Sequence, residues 1–186
     1  MTKTQFLLIL MFVLAVISFI SKMIIRKNSK VKKEKKVFED IKENEFNNYF
    51  TDISLDELKK KIFSNYTDIK SAISNFDYDR LRELCTDELF HFYTERMETI
   101  KNDNKQNIMK AFKNRQLNIT RVFKEDNQLV VMVYLDLAYL NYYIDSTDES
   151  IISGDKVYDI EEGYILHFVY DSNSNNFLLK YEKKED

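Results

Sequence analysis

Residues 117–144 read LNITRVFKEDNQLVVMVYLDLAYLNYYI, and the period of this stretch decides the fold class. Leu117, Ile119, Arg121 and Phe123 alternate with Asn118, Thr120, Val122 and Lys124, which is the two-residue spacing of a strand. Asp126-Asn127 is a turn dipeptide, since both side chains tolerate left-handed backbone and bond locally to the main chain. Residues 128–144 then form a long β-rich run, and two more follow at 156–170 and 177–182. The polar loop 145–155 and a hairpin turn at 171–176 separate them.

Upstream the apolar period lengthens to three and four. Ser54 with Glu57 three residues on is a capping box, and Leu55, Leu58, Ile62, Tyr66, Ile69, Ile73 and Phe76 then form one stripe of a long helix. Asp77 caps a short second helix carrying Leu81, Leu84 and Cys85. Thr86 caps a third that runs to about Lys101, with Leu89, Phe92, Tyr93, Met97 and Ile100 on one face and His91 outside it. The polar stretch 102–107 breaks this pattern, and a short amphipathic piece at 108–112 leads into the strands. Helices first and an antiparallel sheet afterwards predict an α+β domain over residues 54–186.

The amino-terminal third is a different kind of sequence. Phe6 to Ile25, FLLILMFVLAVISFISKMII, is charge-free to residue 21 and about 30 Å long as a helix, enough to cross a bilayer. Its run exceeds the usual signal-peptide core, and no small-residue cleavage motif follows, so residues 1–25 are expected to be an uncleaved transmembrane helix. Lys22, Arg26, Lys27, Lys30, Lys32, Lys33, Lys35 and Lys36 lie at its end and beyond, whereas only Lys3 precedes it. That asymmetry predicts a single-pass protein of the cell membrane, amino terminus outside and domain cytoplasmic. The same basic collar can bind anionic lipid. Residues 26–53 are assigned to collar and linker. Within them Phe38, Ile41, Phe46, Tyr49 and Phe50 have a loosely helical spacing that would also suit a short helix folded back on the domain.

Charge and composition exclude several functions. The first 37 residues carry nine Lys/Arg and one acid; of the chain's 28 bases and 31 acids, 19 and 30 remain for residues 38–186. A domain with that acidic surplus repels phosphate backbones, so nucleic acid is not an expected partner. Gly154 and Gly163 are the two glycines of the chain, which rules out a P-loop, a dinucleotide fingerprint and a nucleophile elbow. His91 and His167 are far apart, and Cys85 is the single cysteine, so no zinc site or internal disulfide is expected. The acids around Asp145, Asp148, Glu149 and Asp155 lack calcium-loop spacing. No cofactor, metal or catalytic residue is assigned.

Several short stretches carry a family resemblance. Ala72, Asp79-Arg80-Leu81-Arg82, Thr86-Asp87-Glu88-Leu89, the long strand ending in Asp145, and Gly154 match in order. Glu162-Gly163-Tyr164-Ile165-Leu166 resembles a Glu-x-Trp-Thr-Phe strand, and Phe177-Leu178-Leu179 a closing Trp-Leu-Leu. Over residues 55–181 the chain resembles the Tim44-like domain family of the NTF2-like superfamily, in a membrane-anchored form of the bacterial type. Tyr164 and Phe177 stand in place of tryptophans, and Phe168 where an arginine is common. The resemblance implies a cone of helices packed on a curved antiparallel sheet. It also implies a non-enzymatic binding or scaffolding module that holds a protein, peptide or lipid at the membrane, with relatives in protein translocation. The same cone houses enzymes and small-ligand carriers, which is the alternative.

Strand alternation assigns the two faces. Leu137, Tyr139, Tyr158, Glu162, Tyr164 and Phe168 are expected to line the cone, with Glu162 its inward carboxylate. Met132, Tyr134, Asp136, Ile165 and His167 fall on the outer face, which is more apolar than a solvated sheet face should be. A second copy or a protein partner is expected to cover it.

Overall fold

The computed structural model describes residues 38–185 apart from Asn173. The expected membrane span and the basic collar therefore lie outside the described residues. Among the described residues no helix is long and apolar enough to cross a membrane.

Among the described residues four helices precede four strands. The helices are α1 (Glu43–Phe46), α2 (Leu55–Asn75), α3 (Tyr78–Leu84) and α4 (Asp87–Asn102). The strands β1 (Lys105–Glu125), β2 (Gln128–Asp145), β3 (Ile151–Asp171) and β4 (Asn176–Lys184) form one antiparallel sheet in the order β1-β2-β3-β4. α2 starts on the expected capping box: the Glu57 amide donates to Ser54 Oγ at 3.3 Å, and Glu57 Oε2 accepts from the Ser54 amide at 2.9 Å. Its stripe of Leu58, Ile62, Tyr66 and Ile69 is fully buried against the sheet's inner face. That face contributes Ile119, Val131, Val133, Leu135, Leu137, Leu166, Phe168 and Leu179. Asp77 caps α3 by accepting from the Arg80 amide at 3.0 Å. Thr86 opens α4 without a side-chain cap; its own amide donates to Leu179 O at 3.0 Å and ties the helix junction to the β4 edge.

The structure corrects the sequence reading on α4 and at the start of β1. On α4 it is Phe90, not Phe92, that is buried beside Tyr93 and Met97; Phe92 is 49% exposed. β1 begins at Lys105, twelve residues before the alternation becomes legible. It carries register shifts between Lys110 and Lys113, Asn114 and Gln116, and Ile119 and Arg121, and Ala111 has a left-handed φ of 57°. Each shift reverses which residues face inward, so the two-residue period is erased although the strand continues. At the β1–β2 hairpin the expected Asp126-Asn127 turn has φ of 48° and 63°, the left-handed pair that suits strand twist.

Residues 38–53, assigned to linker, belong to the packed unit instead. Ile41 and Phe46 are buried in the core. The Ile41 amide donates to Ile119 O at 2.7 Å, and the Ile119 amide to Asp40 Oδ1 at 2.9 Å, so the segment is fastened along β1. Lys59 adds an ion pair to Asp40 at 2.6 Å. The burial of Ile41 and Phe46 outweighs the acidity that argued for a linker, because Glu39, Glu43 and Glu45 project to solvent and Asp40 is paired with Lys59 and the Ile119 amide.

Candidate functional site

Leu137, Tyr139, Glu162, Tyr164 and Phe168 share the inner face of the sheet, as strand alternation requires. Tyr158 does not; it is 73% exposed. Tyr139 lies opposite Ile160 and Asn141 opposite Asp155, so four residues of β3 face Leu140 alone. The extra residues bulge outward. Asp155 Oδ1 holds the bulge by accepting from the amides of Val157 at 2.7 Å and Tyr158 at 3.2 Å.

The inner face carries two linked polar clusters. In the first, Glu162 Oε2 accepts from the hydroxyls of Tyr139, at 2.5 Å, and Tyr164, while Oε1 accepts from Lys184 Nζ at 2.5 Å. In the second, Glu182 Oε1 accepts from Lys70 Nζ at 2.6 Å and Tyr66 at 2.8 Å, and Oε2 accepts from Tyr93. The Lys70 ammonium also lies over the rings of Tyr66, Tyr164 and Tyr93, at 5.0, 5.3 and 5.8 Å. The Lys70 and Glu182 side chains are only 10% and 12% exposed, so this is a buried charge pair between the helical layer and the sheet.

A register shift brings Glu182 there. His167 pairs with Tyr181 and Phe168 with Leu179, so Lys180 is the extra residue. Phe177 and Leu179 point inward; without the bulge Tyr181 would follow them, and with it Glu182 does. Strict alternation could not find Glu182. Lys70 was within reach of the sequence, because it sits one turn beyond Tyr66 on the buried stripe of α2.

These groups are held far from neutral titration. Burial raises the Glu182 carboxyl, but the Lys70 charge and hydrogen bond, with those of Tyr93 and Tyr66, outweigh it and the net shift is downward. Glu162 is likewise lowered: burial is overcome by hydrogen bonds from Lys184, Tyr139 and Tyr164. Burial, then the neighbouring carboxylates and phenols, pushes Tyr66, Tyr93, Tyr139 and Tyr164 up. Burial also drives the Cys85 thiol up to about 12. A general acid or base works best with a pKa near the operating pH, and these shifts run the other way. The cluster is made of stable carboxylates and stable phenols. Among the described residues no group of three or more His, Cys, Asp or Glu could hold a metal.

Beside this network a cavity of about 360 Å³ opens between α4, the end of α2 and the far ends of the strands. Ile73, Leu89, Phe92, Met97, Ile100 and Met109 make its apolar wall, while Tyr139, Tyr143, Tyr164 and the carboxylates of Glu162 and Glu182 make its polar one. Lys70, Arg96 and Lys184 bring three cations to the lining, which Tyr93, Asn107 and Asn141 complete; the Asn107 and Asn141 side-chain oxygens are buried without a hydrogen-bond partner.

The expected outer face is the other side of the sheet. Tyr134 and Asp136 are buried there, and Met132, Ile165 and His167 are half-buried. Part of its cover comes from the chain itself: the Phe38 ring stacks on Tyr134 with centroids 3.9 Å apart. Tyr134 in turn lies across Gly163, where a Cβ would come within 3.2 Å of the tyrosine hydroxyl oxygen. Burial lowers the pKa of His167.

Comparison with known families matches residues 42–179 to the Tim44-like domain. Among solved structures the chain is similar to the intermembrane space region of the chloroplast protein ARC6, at 8% identity and a TM-score of 0.44, over 68% of this chain and 95% of that one. No curated protein matches.

Proposed function

The chain belongs to the Tim44-like domain family, and from that premise we propose that it is a non-enzymatic binding or scaffolding module whose site is the mouth of the cone. One observation carries the reading: the carboxylates of the inner network are held below, and its phenols above, their ordinary pKa values, beside an open cavity with an apolar wall. Such a lining suits holding a ligand and does not suit moving protons. The finer proposal is that residues 6–25 anchor the module in the cell membrane with the domain on the cytoplasmic side, where it retains a protein, peptide or lipid, in the setting of protein translocation. The charge count of the first 37 residues supports that orientation.

A photo-crosslinking residue in place of Phe92, at the exposed rim, tests the site in native membranes. A discrete adduct is expected, and it should disappear when Ile100→Trp fills the cavity. An adduct indifferent to Ile100→Trp, or none, would refute the cone mouth as the binding site. Digestion of the domain by external protease in intact cells would refute the cytoplasmic orientation. A partner or second copy on the outer sheet, across Met132, Ile165 and His167, is the companion proposal; sedimentation of the full chain as a strict monomer would remove the second copy.

A further inference from the structure

β4 ends the sheet, so its side away from β3 is an edge. At Leu179 that edge is already used: Cys85 bridges to Leu179 in parallel, and the Thr86 amide donates to Leu179 O at 3.0 Å. The chain then leaves into α4, and the edge opens. The Glu185 amide donates to Gly163 O at 2.8 Å, so by the alternation of an antiparallel ladder Lys183 also turns its backbone groups to β3, while Glu182 and Lys184 turn theirs outward. Among the described residues no other backbone group bonds to them there. Such a row of donors and acceptors, repeating every two residues or roughly 7 Å, is matched by another extended backbone and not by an acyl chain. The edge is also one wall of a groove whose other wall is α4. Leu89 and Phe92 line both the cone-mouth cavity and a second cavity of about 430 Å³, and Glu182 borders the two. The exposed rings of Phe92 and Tyr181 stand on its lips. Lysines commonly guard an open edge. Of the three on β4, Lys180 and Lys184 are drawn aside onto Glu125 and Glu162, at 2.7 and 2.5 Å. Lys70 is paired with Glu182, which leaves Arg96 and Glu88, one of each sign, so recognition in the groove falls to backbone and apolar surface and not to charge.

We infer that an extended polypeptide segment lies in this groove as a fifth strand, hydrogen-bonded to the backbone of Glu182 and Lys184. Its alternate side chains pack against Leu89 and Phe92 on one face and Tyr181 on the other, so the segment is a proline-free run of alternating β-formers. The bridge at Leu179 is the first rung of the same pairing, made by the chain itself. This rests on the cone mouth being the binding site and names what occupies it.

A phage-displayed library of random heptapeptides, panned on the full-length protein in lipid nanodiscs, supplies the probes. Calorimetric titration of the most enriched peptide then reads the bonds from both sides. N-methylation of its alternate amides should weaken binding about tenfold in one register and hardly at all in the other. Lys184→Pro removes an outward amide that the fold does not use and should weaken binding by a similar factor, whereas Lys184→Met keeps that amide and should weaken it much less. By amide hydrogen exchange Glu182 and Lys184 should be fast in the free protein and slow with the peptide bound, and Lys183 slow in both. No enriched peptide, indifference to N-methylation in both registers, equal effects of Lys184→Pro and Lys184→Met, or Glu182 and Lys184 amides already protected in the free protein would overturn the inference. If Lys184→Pro lowers the melting temperature so far that it does not fold, the N-methylated peptides decide alone. A Phe92 adduct that is lost with Ile100→Trp while these results fail would keep the cone mouth as the site and remove only the added strand.

Discussion

Glu182 is the residue around which the interior is arranged. It accepts from a lysine and two tyrosines and sits in a nearly dry position, so its pairing decides whether its burial is tolerable. Removing one partner of such a pair is far more damaging than removing both. Lys70→Met and Glu182→Leu should each cost about 3–5 kcal/mol in urea unfolding, and the double variant substantially less than the sum. The pH dependence has a definite sign. The Glu182 carboxyl is lowered from the usual 4.5 in the folded chain, so its contribution is complete above that value and is lost as the pH falls through the folded pKa. Acid unfolding curves should therefore flatten below about pH 4.5 in the double variant. An acid limb as steep as that of the parent chain would show that other carboxylates carry the transition.

At the scale of elements, the strands are long and repeatedly out of register, and those irregularities do the shaping. At Gly154 β3 has no room for a side chain: φ is +82°, and a Cβ would lie 2.5 Å from the Asn141 carbonyl oxygen and 2.7 Å from the Tyr142 Cα. Both obstacles are backbone. Gly154→Ala should lower the urea midpoint by an amount equivalent to about 1–3 kcal/mol and distort the cavity wall at Asn141. Gly163→Ala should be milder, because what it meets is the tip of the Tyr134 side chain. This is also where the sequence was and was not readable. Regular stretches were legible: the α2 stripe, its capping box, the Asp126-Asn127 turn, and the inward set Leu137, Tyr139, Glu162, Tyr164 and Phe168. What escaped lies past a register shift, namely the start of β1, the outward turn of Tyr158 and the inward turn of Glu182. A bulge adds one residue without a composition signal, and every inference beyond it inherits the wrong parity. Asn107 was hidden for the same reason, in a polar stretch that read as a break before the strands, whereas Asn141 continues the parity of Leu137 and Tyr139.

For the molecule as a whole, the sheet is a meander in which each strand pairs with its neighbour in sequence, so its contacts are local and can form in order. The helical layer closes over it from the other end of the domain. The Lys70–Glu182 bond spans 112 residues, and the Asn65 side-chain bond to Phe177 O also spans 112. Closing so long a loop costs entropy that only a nearly complete sheet can offset. The charge pair between the helices and the sheet is thus expected to form late on the folding path. In a denaturant chevron, removing both its members should leave the refolding limb nearly unchanged and accelerate unfolding. Seen in time, the pair acts as a latch that sets how long the finished domain stays shut.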